Sequence, residues 1–230
     1  MKITEYTISS NEIKKDYVFA VLSDLHNRDY TEVINLTKSI NPDAILIVGD
    51  IVDRHRKWHD KAIPFLKDCV QIAPTYFSYG NHEVKYPMIT AEDIQNTGVT
   101  LLDNSWTLLC NDILIGGQTP KAETDWLREF EDNEQFSILL DHHPEHYKEY
   151  LKEQHPEIDL IISGHAHGGQ IRIKNQGLFS PGQGPFPKYT KGLYDDRLLV
   201  TTGLANTGDP IPRINNEPEV VKLIIRKEQI

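Results

Sequence analysis

The stretch Ala44-Ile45-Leu46-Ile47-Val48-Gly49-Asp50-Ile51-Val52-Asp53-Arg54 decides the reading of this chain. An unbroken apolar run of strand length suits a strand buried on both faces. Gly49 then permits a tight turn, and Asp50 and Asp53 follow where the strand stops. The same order recurs along the chain. Tyr17–Ser23 runs into Asp24-x-His26, and Thr75–Tyr79 into Gly80-Asn81-His82-Glu83. Phe136–Leu140 leads to His142-His143-Pro144, and Ile158–Ser163 to Gly164-His165-x-His167. Ile113–Ile115 reads as a further buried strand.

Between these strands the chain reads as helix over Thr31–Ile40, Asp60–Gln71, Ala91–Asn96, Thr124–Asp132 and Glu145–Lys152. Pro144 suits a helix start, whereas Pro64 interrupts the second helical stretch. The alternation predicts an α/β fold in which βαβ units feed a largely parallel or mixed sheet. Beyond Gly164, strands are expected over Gly168–Ile173, Leu198–Thr202 and Val220–Ile225. The Gly/Pro-rich segment Gly177–Gly192 reads as an ordered surface loop. In open α/β sheets ligands gather beyond the carboxyl ends of the strands, and each motif falls at such an end.

At 230 residues the chain suits one domain, residues 1–230. Short intervals between motifs leave no room for a cap domain. A net charge of -10 and a pI near 5.4 argue against a stable nucleic-acid partner or an anionic membrane surface. They leave open an anionic substrate, because bound cations dominate their local field. Cys69 and Cys110 read as reduced thiols. No apolar run approaches the roughly 18 residues of a membrane span, and Met1–Tyr6 does not read as an export leader. The expected location is therefore cytoplasmic, with no membrane anchor. Oligomeric state is not legible.

Carboxylate, carboxamide and imidazole donors suit Mn²⁺, Fe²⁺ or Zn²⁺ better than a thiolate-selecting site would. Asp24, His26, Asp50 and a later histidine can close one ion, and Asp50 can bridge to a second. Two ions about 3.5–4 Å apart clamp a phosphoryl group and lower the pKa of water between them. Taken singly, each motif is bland: Asp24-x-His26 reads as a strand-end polar pair and Gly49-Asp50 as a turn. His165 and His167 share a face of an extended segment. The set carries the reading. His146 and His155 are expected on the surface. The basic stretch from Arg54 to His59, with Trp58, reads as a solvated loop or a flank that meets substrate charge. Phe179, Phe186 and Tyr189 read as loop packing, and Asn206 and Arg213 as residues of the later loops near the rim.

The five motifs, in order from residue 24 to 167, resemble those of the calcineurin-like metallophosphoesterase superfamily. Gly164-His165-Ala166-His167-Gly168-Gly169-Gln170 resembles the last motif of its small bacterial phosphodiesterases. So does the tail of Gly203-Leu204, Arg213 and Pro218-Glu219-Val220. The resemblance implies a four-layer αββα sandwich with two central mixed sheets. It implies Asp24, His26, Asp50 and His167 around a first metal ion, and Asp50, Asn81, His142 and His165 around a second. His142 is matched rather than His143 because the pattern is an apolar strand followed by His-x-Pro. It also implies His82 as general acid, oriented and raised in pKa by Asp53, with Arg54 and Asn81 at the substrate phosphate.

The implied activity is hydrolysis of phosphodiester or phosphomonoester bonds by attack of a hydroxide bridging two divalent ions. Mn²⁺ is the first expectation, with Fe²⁺ and Zn²⁺ behind it, and the substrate is a small phosphorylated molecule. One alternative is a pyrophosphohydrolase acting on a nucleotide-linked lipid such as UDP-diacylglucosamine. Another, of a different class, is a non-catalytic metal-binding scaffold. Purple acid phosphatases carry a tyrosine ligand where this chain has Asp53, so a ferric-tyrosinate site is not expected.

Overall fold

The computed structural model describes residues 1–54, 60–206 and 212–228. Strand β3 (Ala44–Val48) shows how the layers arise. Side chains alternate along a strand, so Ala44, Leu46 and Val48 face a second sheet while Ile45 and Ile47 face helices. All five are buried. A strand between two apolar layers needs the continuous hydrophobic run that the sequence contains.

The neighbours of β3 are β1 (Lys2–Ser10), β2 (Tyr17–Leu22), β4 (Thr75–Ser78), β5 (Thr100–Leu102) and β12 (Glu219–Lys227). They form a six-stranded sheet of order β1-β12-β2-β3-β4-β5. β2, β3, β4 and β5 are parallel, and β12 runs antiparallel to β2. The second sheet contains β6 (Ser105–Leu109), β7 (Ile113–Gln118), β8 (Phe136–Asp141), β9 (Leu160–Ser163), β10 (Gly192–Tyr194) and β11 (Leu198–Val200). Its order is β10-β11-β9-β8-β7-β6, parallel from β7 through β8 and β9 to β11 with antiparallel edges.

Phe19, Val21, Leu46 and Val48 meet Ile115, Ile138, Leu140 and Ile162 between the sheets. Outside the first sheet lie α1 (Thr31–Ile40) and α2 (Ala62–Val70). Helix α1 buries Val33, Ile34, Thr37 and Ile40, one stripe at helical spacing. It ends at Asn41, whose left-handed backbone returns an N–H to the Lys38 carbonyl. Outside the second sheet, Leu127 and Phe130 of Trp126–Glu131 and Tyr147 and Leu151 of a π-turn pack on Leu139 and Ile161. The result is the expected αββα sandwich with two central mixed sheets.

Several boundaries differ from the sequence reading. Pro64 does not break α2, because it lies in the first turn, where backbone N–H groups have no intrahelical partner. Helix Glu145–Lys152 is a π-turn over Tyr147–Leu151 running into Lys152–Gln154. Gly168–Ile173 is not one strand. His167, Gly168, Gly169 and Gln170 all have positive φ, so the chain turns there and only Arg172–Ile173 is extended. The Gly177–Gly192 loop is ordered by short antiparallel pairs.

Candidate metal centre

Both sheets deliver their polar strand ends to one rim. Asp24 and His26 follow β2, Asp50 and Asp53 follow β3, and Asn81 and His82 open a short helix, Asn81–Lys85, after β4. His142 follows β8, and His165 and His167 follow β9. The strand-end loops are tied together by Asp24 N–H to Gly49 O (3.0 Å), His26 N–H to Asp50 O (3.0 Å) and Gly164 N–H to His142 O (3.2 Å). The packing excludes side chains at two glycines. A Cβ on Gly80 would overlap the Asp50 carboxylate, and one on Gly164 would overlap Ser23 Oγ.

Ligand-capable atoms of Asp24, His26 and His167 lie within 4.8 Å of one another, as do those of Asp50, His142 and His165, and of His26, Asp50 and His82. His26 Nε2 and His167 Nε2 face each other at 3.2 Å, and His142 Nε2 is 3.1 Å from Asp50 Oδ2. His142 donates from Nδ1 to the Val48 carbonyl at 2.7 Å, which turns Nε2 into the cluster. Asn81 Oδ1 is occluded and has no hydrogen-bond partner among the described residues. An orphaned carboxamide oxygen beside buried carboxylates and imidazoles fits divalent cations, for which oxygen and imidazole nitrogen are the natural donors.

The electrostatics agree with that fit. Burial pushes the Asp24 carboxyl up, but His167, His26 and His142 outweigh it and hold it well below the usual carboxylate range. Burial likewise opposes Asp50, which His142 and His82 hold low. Burial lowers His142, yet Asp50 and Asp24 raise it to about 10, so a proton sits where a cation can replace it. Burial depresses His165, with His143 and His142 adding to it. Burial also takes His167 down to about 3, against Asp24 and with His26 and Arg213. Neutral imidazole is the form that binds metal. Backbone strain marks the same residues: Asp24, His26, Asp50, His165 and His167 have φ of 58°, 51°, 56°, 62° and 45°. Left-handed backbone at non-glycine residues costs of order 1–3 kcal/mol each and gathers at functional sites.

His82 stands beside this cluster with Nε2 3.9 Å from Asp50 Oδ2. Its surroundings differ from the expectation. Asp53 Oδ1 is 4.0 Å from Nδ1, and the hydrogen bond on Nδ1 is donated by the Arg54 N–H at 3.2 Å. An N–H only donates, so the ring proton lies on Nε2, toward the cluster. Burial lowers the His82 pKa. Asp50 and Asp53 oppose that shift without reversing it.

Two contributors had no role in the sequence reading or only a loose one. Buried Glu83 accepts the N–H groups of Asp50 (2.8 Å), Ile51 (2.8 Å), Val52 (3.1 Å) and Gly80 (2.8 Å), clamping two motif loops together. Its sequence signal was the capping spacing from Gly80. Arg213 Nη2 lies 3.2 Å from His167 Nδ1 and donates to Thr202 O and Ala205 O at 2.6 Å. His155 is buried on Glu131 rather than at the surface, and His146 pairs with Asp141 at 2.9 Å. Tyr189 is buried, whereas Phe179 and Phe186 are 42% and 73% exposed. Arg54 is exposed at the rim, and His55, Trp58 and His59 lie outside the described residues. No helix among the described residues is long and apolar enough to cross a membrane.

The sequence model for calcineurin-like phosphoesterase matches residues 17–169, the span that holds all the motifs. The chain is 27% identical over 257 residues to the uncharacterized metallophosphoesterase YkuE of Bacillus subtilis, covering 98% of this chain and 86% of that one. It is 29% identical to the uncharacterized metallophosphoesterase Cj0846 of Campylobacter jejuni, over 93% of this chain but 60% of the relative, so it spans less than two thirds of that protein. It is 27% identical to the phosphodiesterase YaeI of Escherichia coli, over 88% of this chain and 79% of that one.

Proposed function

Since the chain belongs to the calcineurin-like phosphoesterase family and is a hydrolase, we propose that it cleaves phosphodiester bonds of a small phosphorylated molecule at a centre of two divalent ions. Asp24, His26, Asp50 and His167 would hold one ion, and Asp50, Asn81, His142 and His165 the other. Bound there, the ions polarise phosphoryl oxygens and lower the pKa of water at neutral pH. The observation that carries the reading is the pair of adjoining buried clusters, with Asp50 Oδ2 3.1 Å from Nε2 of His142 and the Asn81 carboxamide oxygen left without a partner among the described residues.

In this reading His82 presents its Nε2 proton to the leaving-group oxygen, with the Arg54 N–H fixing the ring. Asp53, close behind the ring, supplies negative charge to it. Arg54, exposed at the rim, binds a phosphate oxygen. Preference for diesters is supported by the similarity to YaeI of Escherichia coli, which is named a phosphodiesterase. Mn²⁺ is the ion we assign first. The apolar core shared by the two sheets supports a single domain.

The test pairs two aryl phosphates. Chelated protein refilled with Mn²⁺ is expected to hydrolyse a bis-aryl phosphate faster than the mono-aryl ester, and faster monoester cleavage would overturn the diester assignment. His82→Ala is expected to reduce turnover about 10²–10⁴-fold while bound metal stays near the wild-type level. Parallel loss of metal and turnover would remove His82 from its role as proton donor.

A further inference from the structure

Next to the metal centre lies a cleft of ≈ 680 Å³ that the reading above does not use. Its lining includes Lys2, Arg172, Lys174, Lys191 and Arg213 against the single carboxylate of Glu217. The chain as a whole carries a net charge of -10, so this is a basic island on an acidic molecule. Such a concavity focuses a positive potential.

The cleft lies at the same strand ends as the metal centre. Strand β12 runs antiparallel to β2 with Val221 opposite Val21. The residues that lead into β12, Asn215 to Pro218, therefore stand at the end of β2 from which Asp24 projects. Asn216 Nδ2 donates to the carbonyls of His167 (2.6 Å) and Gln170 (3.0 Å), so the metal-centre turn forms the shared wall. Arg213 lines the cleft and touches His167 at 3.2 Å. Its Nη1 is occluded and has no hydrogen-bond partner among the described residues.

The cations are not all consumed by the fold. Arg172 is satisfied by Gly168 O, Thr190 Oγ1 and Asn175 O. Lys191 pairs with the buried carboxylate of Glu219 at 3.3 Å. Lys2 and Lys174 are exposed and form no ion pair among the described residues. A cleft lined by two uncommitted ammonium groups, with the committed cations of Arg172, Lys191 and Arg213 beside them, has the chemistry of an anion site.

We propose that this cleft is a second anion subsite, taking a further phosphoryl group of a substrate whose scissile phosphate lies at the metal centre. The proposal rests on the phosphodiesterase reading and narrows it to small molecules that carry two phosphoryl groups. Arg213 stands between the two positions.

The first arm of the test needs no turnover. Tripolyphosphate titrated calorimetrically into chelated protein is expected to bind, and to bind more weakly as salt rises from about 50 to 200 mM. The double variant Lys2→Glu/Lys174→Glu is expected to weaken binding about tenfold or more. No binding, or binding that the variant leaves unchanged, overturns the subsite. The second arm compares two p-nitrophenyl phosphodiesters of adenosine, with and without a 3′-phosphate, on Mn²⁺-loaded protein. The phosphorylated ester is expected to show a KM about tenfold lower, a ratio that falls toward one in the double variant. Equal KM values in the wild type also overturn the subsite. Failure to hydrolyse either ester strikes the hydrolase reading, while the titration still decides the cleft.

Discussion

At the scale of single residues, a buried carboxylate holds two of the motif loops together. Glu83 accepts four backbone N–H groups with two carboxylate oxygens. Glutamine in its place would turn an amide donor toward two of them. Glu83→Gln is therefore expected to cost about 2–4 kcal/mol in urea unfolding, through buried N–H groups left unpaired, and to weaken metal binding. A variant as stable as wild type would show that the loops hold their places without the clamp. His142 makes a second prediction. Its folded pKa of about 10 lies above the ordinary histidine value, so in metal-free protein it is protonated at pH 7.5 and loses the proton only as pH approaches that value. Loading Mn²⁺ into chelated protein at pH 7.5 should release protons, and metal affinity should rise with pH. Uptake without proton release would place the ion elsewhere.

At the scale of elements, what the sequence made legible depended on how each strand is buried. β3 and β9 are apolar on both faces, and their reading needed no partner. β1 was missed because it is an edge strand whose exposure alternates, with Glu5, Thr7 and Ser9 on its exposed face. It becomes a strand by pairing in parallel with β12 from the far end of the chain. The motif residues were legible because Asp24, Asp50 and His165 end apolar runs. The turn at His167–Gln170 was not, because it packs against Asn216 and Gly177, residues distant in sequence that a Cβ on Gly168 or Gly169 would overlap. Arg213 was only loosely placed for the same reason, since its partners Thr202 and Ala205 are backbone carbonyls. β3 offers a direct check on the layering. Leu46→Ala and Ile47→Ala point to opposite sides, and each is expected to cost about 2–5 kcal/mol in denaturant unfolding. A near-neutral result at Ile47 would contradict the outer helical layer.

At the scale of the whole molecule, the two sheets are joined at the rim by the same residues that would hold the ions. Asp24 comes from the first sheet and accepts the His165 N–H of the second at 3.2 Å. Cations at that junction bind the folded chain and not the unfolded one, so they stabilise it by mass action. Chelation is expected to lower Tm by on the order of 10 °C, recovered on adding Mn²⁺. An unchanged Tm would mean that the junction holds without metal. Most direct for the central claim is a metal titration followed by activity. Chelated protein is given increasing Mn²⁺, and hydrolysis of bis(p-nitrophenyl) phosphate is recorded against bound metal per chain. The dimetal account predicts little hydrolysis without metal and a plateau at two bound ions. Full activity at one ion, or metal bound without hydrolysis, would contradict it.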